Sequence, residues 1–255
     1  MNHSLSPQLV PLSIGTIVEI HGPLVIIDCD LLTPLRQALY STIGDSRYVF
    51  ELHQHLVNVI FERLPGAWYC RIKSWHGSGA PLQIPVSKDC LGRLLNIFGE
   101  PLDGKPAWLE HEFGNIHAKP LLLSEAIGIS GILEAGIKVI DLLCPFVKGR
   151  KTKLFGGTGV GERIREAHEL WKEMQQTGVM QDTLMIFGQM DESPGVRFRV
   201  GLSALTYVEY LRDTLQKEVL FVVDNAFRFV QAGSEISSLL GRMPAKGWLS
   251  TDLNH

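Results

Sequence analysis

The chain has 255 residues, enough for one large domain or two small ones. With 45% hydrophobic and 20% charged residues and a net charge of −3, its composition is ordinary for a globular protein, and no basic stripe or arm points to nucleic acid. No window approaches the roughly 18 uninterrupted apolar residues of a membrane span, and residues 1–14 lack the basic start and apolar run of a signal peptide.

The first third reads as short strands. Residues 16–20 and 23–28 flank the turn signal His21-Gly22, and runs at 48–52, 56–61 and 68–72 follow, punctuated by Pro65-Gly66 and by glycines at 77 and 79. Closely spaced short strands of this kind predict a small β-barrel or sandwich. His53 and His55 fall on one side of a strand, which suits either a metal ligand pair or a solvated face. Cys29, Cys70, Cys90 and Cys144 are far apart and form no C-x-x-C pair, so free thiols are expected.

The pattern changes near Pro85. Residues 89–98 predict a short helix capped by Gly99, 100–104 a turn, 107–120 an irregular linker, and 136–144 a helix that stops at Pro145. Strand and helix then alternate. A short strand at 152–155 runs into a glycine-rich turn. Residues 163–176 carry Ile164, Ala167, Trp171 and Met174 on one helical face, with Gly178 beyond as a cap. A strand is expected at 183–187. Ser193 is placed as an N-cap and Pro194 in the first turn of a helix reaching about Thr214. Residues 219–223 form a uniformly apolar strand ending in Asp224. This alternation predicts an α/β fold with a mainly parallel sheet covered on both faces. The boundary falls near residue 80, with a barrel-like domain at 1–80 and a nucleotide-binding domain at 81–255.

The glycine-rich turn holds Gly156, Gly157, Thr158, Gly159, Val160 and Gly161. Two glycines four residues apart after a strand are the frame of a P-loop, which wraps phosphates with backbone N–H groups. Such a loop continues with a lysine for the phosphates and a hydroxyl for magnesium. Glu162 and Arg163 stand in those places. At about 4 Å and an effective dielectric near 20, one charge pair is worth about 4 kcal/mol. Exchanging lysine for glutamate therefore gives an unfavourable swing approaching 8 kcal/mol before relaxation and screening. Taken alone, the run also reads as a plain glycine-rich turn. The run 220–224, four apolar residues and an acid, fits a Walker B strand whose aspartate orients a magnesium shell, and fits an ordinary buried strand equally well.

Together these pieces resemble the beta subunit of the F-type rotary ATP synthase. Residues 79–86 and 91–104 look like the start of its nucleotide domain, 136–143 like the helix before its P-loop, and 188–195 like the loop after its third strand. The most specific run is 224–244, beginning Asp224-Asn-Ala-Phe-Arg228 and continuing through Gln231-Ala-Gly-Ser-Glu235 to Pro244. The likeness is strong over 79–244 and weaker over 15–75. It implies a RecA-like P-loop domain behind a small β-barrel, Mg-ATP or Mg-ADP as ligand, and ATP synthesis or hydrolysis coupled to proton or sodium movement. The implied partners are the alpha subunit and the central-stalk gamma subunit. The implied location is cytoplasmic, or peripheral on the inner face of an energy-coupling membrane.

The departures from the family are specific. Its P-loop is followed by a helix, a strand and a second G-V-G run with E-R-T-R-E. Here 154–157 look like the start of the first run and 159–166 like the second, as though an internal deletion had fused them. By the second run, Glu162 matches the glutamate that polarises the attacking water, and Arg163 the arginine facing the terminal phosphate. By the first, both occupy the lysine and hydroxyl places. Asp224 matches the Walker B aspartate, an indirect magnesium ligand through water, and Arg228 a phosphate-side arginine. The family's later strands, adenine pocket and helical C-terminal domain have no counterpart in this sequence. The expectation is an impaired or inactive copy. The alternative is a non-enzymatic paralogue, or a nucleotide- or stalk-binding protein that keeps a stalk-contact loop at 231–235.

Overall fold

The computed structural model describes residues 15–21, 24–29, 34–43, 46–54, 57–60, 76–118, 131–152, 164–188, 192–224 and 226–240. In chain order the strands are β1 (Gly15–His21), β2 (Leu24–Cys29), β3 (Gln37–Ile43), β4 (Ser46–Gln54), β5 (Val57–Ile60), β6 (His76–Pro81), β7 (Gln83–Val86), β8 (Leu94–Leu95), β9 (Glu112–Asn115), β10 (Ile132–Leu133), β11 (Phe146–Val147) and β12 (Met185–Ile186). The α-helices are α1 (Lys138–Leu143), α2 (Ile164–Gln176), α3 (Pro194–Glu209) and α4 (Ala226–Leu239). The chain divides into two compact units, one formed by Met1–His117 with Arg163–His255 and the other by Ala118–Glu162.

In the first unit, β1 to β6 form an antiparallel sheet in the order β1-β2-β5-β4-β3-β6. The predicted strands at 16–20, 23–28, 48–52 and 56–61 are present; the one at 68–72 lies outside the described residues. No β1–β6 ladder closes the sheet among the described residues, so the barrel is represented by an open six-strand order. β3 pairs β4 with Ala38 opposite Glu51 and Tyr40 opposite Val49, which puts these four side chains on one face. Ala38, Tyr40 and Val49 pack there into the main apolar core with Leu82, Ile84, Val86, Leu95, Ile97, Trp108, Val196 and Tyr207.

Glu51 is the acid on that face, and it is 1% exposed. A carboxylate so placed is tolerable only when its charge is matched and its lone pairs are filled. Arg199 of α3 donates to both of its oxygens, Nε to Oε2 at 2.9 Å and Nη2 to Oε1 at 2.7 Å. His117 Nε2 lies 3.0 Å from Oε2. Burial by itself would push the Glu51 carboxyl up. The Arg199 charge, with the hydrogen bonds from His117 and Arg199, outweighs that and holds it at about 2 instead of 4.5.

α3 forms as predicted. Ser193 Oγ accepts from Val196 N–H at 3.4 Å and Pro194 sits in the first turn. Its buried stripe, Val196, Arg199, Ser203, Thr206 and Tyr207, is mostly polar, and every polar member has a partner. Ser203 Oγ donates to the Ile97 carbonyl at 2.8 Å, Thr206 Oγ1 to Leu202 at 3.1 Å, and the Tyr207 hydroxyl to Pro85 at 2.6 Å. The helix passes into a π-helical turn at Tyr210–Thr214, closed by Leu215 N–H on the Tyr210 carbonyl at 3.2 Å.

The predicted helix at 89–98 is not a helix. The segment is a 3-10 turn at Lys88–Cys90, then β8, then a tight loop. Its polar residues bind other loops rather than extending a helical ladder. Arg93 Nε donates to Asp103 Oδ2 at 2.6 Å and Arg93 Nη2 to the Pro106 carbonyl at 3.0 Å. Asn96 Oδ1 accepts from the N–H groups of Phe98 and Glu100, both at 2.9 Å. Gly99 closes the loop at φ +78°, where a Cβ would lie 2.7 Å from both the Pro85 side chain and the Tyr207 hydroxyl.

The parallel pairing expected from the strand–helix alternation is represented among the described residues by β8 with β12, two residues each. β12 is the centre of the strand predicted at 183–187. The run 219–223 is not a strand: it has no ladder partner among the described residues, and Leu220 and Val222 are 62% and 74% exposed. A uniformly apolar strand needs neighbours on both sides and cover on both faces, and uniform apolarity alone supplies neither. α2 matches its predicted span, and Gly178 follows it at φ +77°. β3, β6, β7, β10, β11 and α4 are elements for which the sequence pattern carried no expectation, and the stretch 107–120, expected as an irregular linker, contains β9, which pairs antiparallel with β7. The predicted strand at 152–155 lies outside the described residues from 153 onward.

In the second unit, β10 pairs antiparallel with β11. α1 occupies the centre of the helix predicted at 136–144, and Asp141 accepts from the N–H groups of Ala135 and Gly136, both at 2.8 Å. Cys90 in the first unit is buried and Cys144 in the second is exposed, both as free thiols. Burial pushes the Cys90 thiol up to about 11.

Four outcomes follow. Arg199→Met should destabilise the protein in urea by about 3–5 kcal/mol, because it strands a buried carboxylate. Since the folded Glu51 value is depressed, the stability it contributes is fully present above about pH 4.5 and drains away as pH falls towards about 2; Glu51→Gln should flatten that acid limb. Gly99→Ala should cost about 1–3 kcal/mol by overpacking against Pro85 and Tyr207. Thiol titration should label Cys144 in the native protein and Cys90 only on unfolding.

Candidate functional site

Of the residues expected at the phosphate and magnesium, Asp224 and Arg228 are described. Gly156, Gly157, Thr158, Gly159, Val160, Gly161, Glu162 and Arg163 lie outside the described residues. So does the stretch 189–191 of the loop at 188–195, and so does 241–244.

Asp224 stands exposed in a turn two residues before α4 begins. Arg228 lies one helical turn further on, half-buried, and its Nη1 donates to Gln231 Oε1 at 3.2 Å. Gln231 Nε2 donates in turn to Glu235 Oε1 at 3.1 Å. These spacings of three and four residues put Arg228, Gln231 and Glu235 along one edge of the helix. Glu235 then receives Arg197 of α3, with Nη2 at 2.5 Å from Oε2, while Arg197 Nε donates to the Glu192 carbonyl at 3.2 Å. A continuous polar chain thus joins Arg228 to the loop that precedes α3.

Apolar contacts run beside this chain. Phe198 and Phe229 stack with centroids 4.8 Å apart at 16°. Ile236 packs with Leu24, Phe198 and Leu240. Residues 231–235, expected as a stalk-contact loop, are the middle of α4. Ala232, Gly233 and Ile236 are buried, so this part of the run is packing against α3 rather than free loop. The pairing of Arg197 with Glu235 was not anticipated. They lie 38 residues apart, and no periodicity relates two such positions.

Asp224 and Arg228 share the start of one helix, but the remaining donors do not suit a magnesium nucleotide. Among the described residues no group of three or more His, Cys, Asp or Glu could hold a metal ion. The run leading into Asp224 is exposed and has no ladder partner among the described residues, so the aspartate does not end a strand there. The loop's lysine and hydroxyl places hold Glu162 and Arg163, one of which repels phosphate and neither of which carries the neutral hydroxyl magnesium takes there. The residues present do not fit the group.

Comparison with known proteins gives the frame for these features. Residues 157–254 match the ATP synthase alpha/beta family, nucleotide-binding domain. ATP synthase subunit beta 2 of Nitrosomonas eutropha is 51% identical over 197 residues, taking in 67% of this chain and 41% of that protein. ATP synthase subunit beta 1 of Dinoroseobacter shibae is 47% identical over 196 residues, taking in 67% of this chain and 42% of that protein. The chain spans about two fifths of the length of these curated relatives. The first alignment runs over 197 positions yet draws on 67% of 255 residues, about 171, so the relative carries some two dozen positions that this chain lacks. Among the described residues no helix is long and apolar enough to cross a membrane. The chain is a partial, beta-subunit-like relative of the ATP synthase alpha/beta family.

Proposed function

We propose that this is a beta-subunit-like protein whose fused glycine loop does not grip a magnesium nucleotide, so that it neither makes nor hydrolyses ATP at that place. The carrying observation is the pair Glu162-Arg163 directly after the glycine run 156–161, where phosphate binding calls for a lysine and a hydroxyl. Two further observations support it. The alignments contain some two dozen relative positions without a counterpart here, as an internal deletion between two G-V-G runs would produce. Asp224 follows an exposed run that has no ladder partner among the described residues.

On this reading, Glu162 and Arg163 derive from the family's catalytic glutamate and its neighbouring arginine but have been brought into the phosphate loop. Asp224 and Arg228 keep their identities without a phosphate to act on. The chain's organisation is a sheet domain over 1–80 and a reduced nucleotide-type domain over 81–255. What survives is packing surface, so the proposed role is a non-enzymatic one beside the alpha and gamma subunits, peripheral to the membrane when assembled there.

Co-expression with an alpha subunit, followed by an ATP turnover assay of the purified mixture, tests this. The expected rate is no higher than that of the alpha subunit alone. A rate above that background which Glu162→Gln lowers by about 10²–10⁴-fold would show Glu162 acting on water, and the proposal would fail.

A further inference from the structure

Asp103-Gly104 is the one Asp-Gly step in the sequence, and the sequence has no Asn-Gly. Such a step is chemically weak, because glycine puts no side chain beside its backbone nitrogen. That nitrogen can attack the aspartate Cγ. A Cγ–N bond forms, a Cγ–O bond breaks, and the nitrogen's proton leaves with the carboxyl OH as water. A second water then opens the cyclic imide at the Asp103 main-chain carbonyl, breaking its bond to the Gly104 nitrogen. The α-carboxylate is set free and the chain runs on through Cγ, one methylene longer. No oxidant, reductant or cofactor enters. The carboxyl must first take up a proton, since OH leaves with the amide proton as water and a bare oxide does not leave.

The two sides of this step are treated differently by the fold. Gly104 stands at φ +73°, exposed, with nothing within 4 Å of a Cβ built there. The carboxyl side is closed: the Asp103 side chain is 2% exposed. Arg93 Nε donates to Oδ2 at 2.6 Å and Nη2 to Oδ1 at 3.2 Å, and the Lys105 N–H donates to Oδ1 at 3.0 Å. The forked guanidinium fixes the plane of the carboxyl, which ring closure has to turn. Burial would push the Asp103 carboxyl up, but the Arg93 hydrogen bond, the Lys105 N–H and the Arg93 charge outweigh it and hold the group below its ordinary value. Arg93 is held in turn by the Lys105 and Pro106 carbonyls at 3.4 and 3.0 Å, and its guanidinium carbon lies 5.6 Å from the centre of the Trp108 ring. We infer that Asp103-Gly104 is an isoaspartate-forming site that the Arg93 fork keeps silent while the loop is folded. The change runs one way. Isomerisation moves the free carboxylate from the side chain to the α-carbon, off the position that Arg93 grips, so an altered loop cannot rebuild the clamp.

The test ages the whole chain near neutral pH, folded in buffer and unfolded in guanidinium chloride, and reads isoaspartate at position 103 by electron-transfer mass spectrometry of the digest. The unfolded chain should accumulate it at least about ten-fold faster than the folded one, the ratio that one unit of carboxyl pKa alone supplies. Arg93→Met removes the fork and its charge, and in the folded state should raise the rate at least about ten-fold over wild type. Arg93→Lys keeps the charge without the fork and should also exceed wild type. Circular dichroism establishes which variants are folded, and the comparison of folded with unfolded wild type stands even if neither variant folds. A folded wild-type chain that isomerises at position 103 as fast as the unfolded one overturns the inference. So does a folded Arg93 variant that is no faster than wild type.

Discussion

Burying Glu51 is possible only because Arg199 reaches it from across the core. The two residues are 148 positions apart, on β4 and α3, and each would be strongly unfavourable where it lies without the other. Their two parallel hydrogen bonds fix distance and angle together, as a forked guanidinium on a carboxylate does. The antiparallel sheet and α3 are therefore held in one arrangement by a directional contact, while Ala38, Tyr40 and Val49 supply the apolar area around it. Hydrophobic burial alone would tolerate sliding of the helix; the pair does not.

From that anchor the rest of α3 is set. Ser203 and Tyr207 meet the backbone of Ile97 and Pro85, and so hold the loop made by Arg93, Asn96 and Gly99. On its other side α3 carries Arg197 and Phe198, which receive Glu235 and Phe229 of α4. The residues that make the chain resemble its family are, in this structure, mostly residues that pack and tie: Arg93 with Asp103, Asn96 with Glu100, and Glu235 with Arg197. A high identity over these runs is compatible with loss of chemistry, because the same positions are needed to build the frame whether or not a phosphate is bound.

Local signals in the sequence were reliable where local physics decides. Ser193-Pro194 announced the start of α3, Gly178 marked the end of α2, and β-branched runs marked β1, β2, β4 and β5. The segment 89–98 misled because Leu91, Leu94, Leu95 and Phe98 mimic a helical stripe, whereas Arg93 and Asn96 bind partners that no periodicity reveals. The run 219–223 misled in another way: its composition is that of a buried strand, but a ladder partner is a property of the surroundings. Of the site, Asp224 and Arg228 were legible as residues and came out near each other. The Arg228–Gln231–Glu235–Arg197 chain was not, because its last member comes from another helix.

The proposed function separates a frame that Glu51 and Arg199 hold together from a phosphate grip that, on that proposal, Glu162 reverses. Isothermal titration of Mg-ATP into the folded chain measures that separation directly. The account predicts a cooperative folded protein with no saturable heat up to about 1 mM nucleotide. Saturable binding in the micromolar range, to the wild-type chain and lost on changing Arg163→Ala, would contradict it, because the loop would then hold phosphate by a positive charge that this account treats as insufficient.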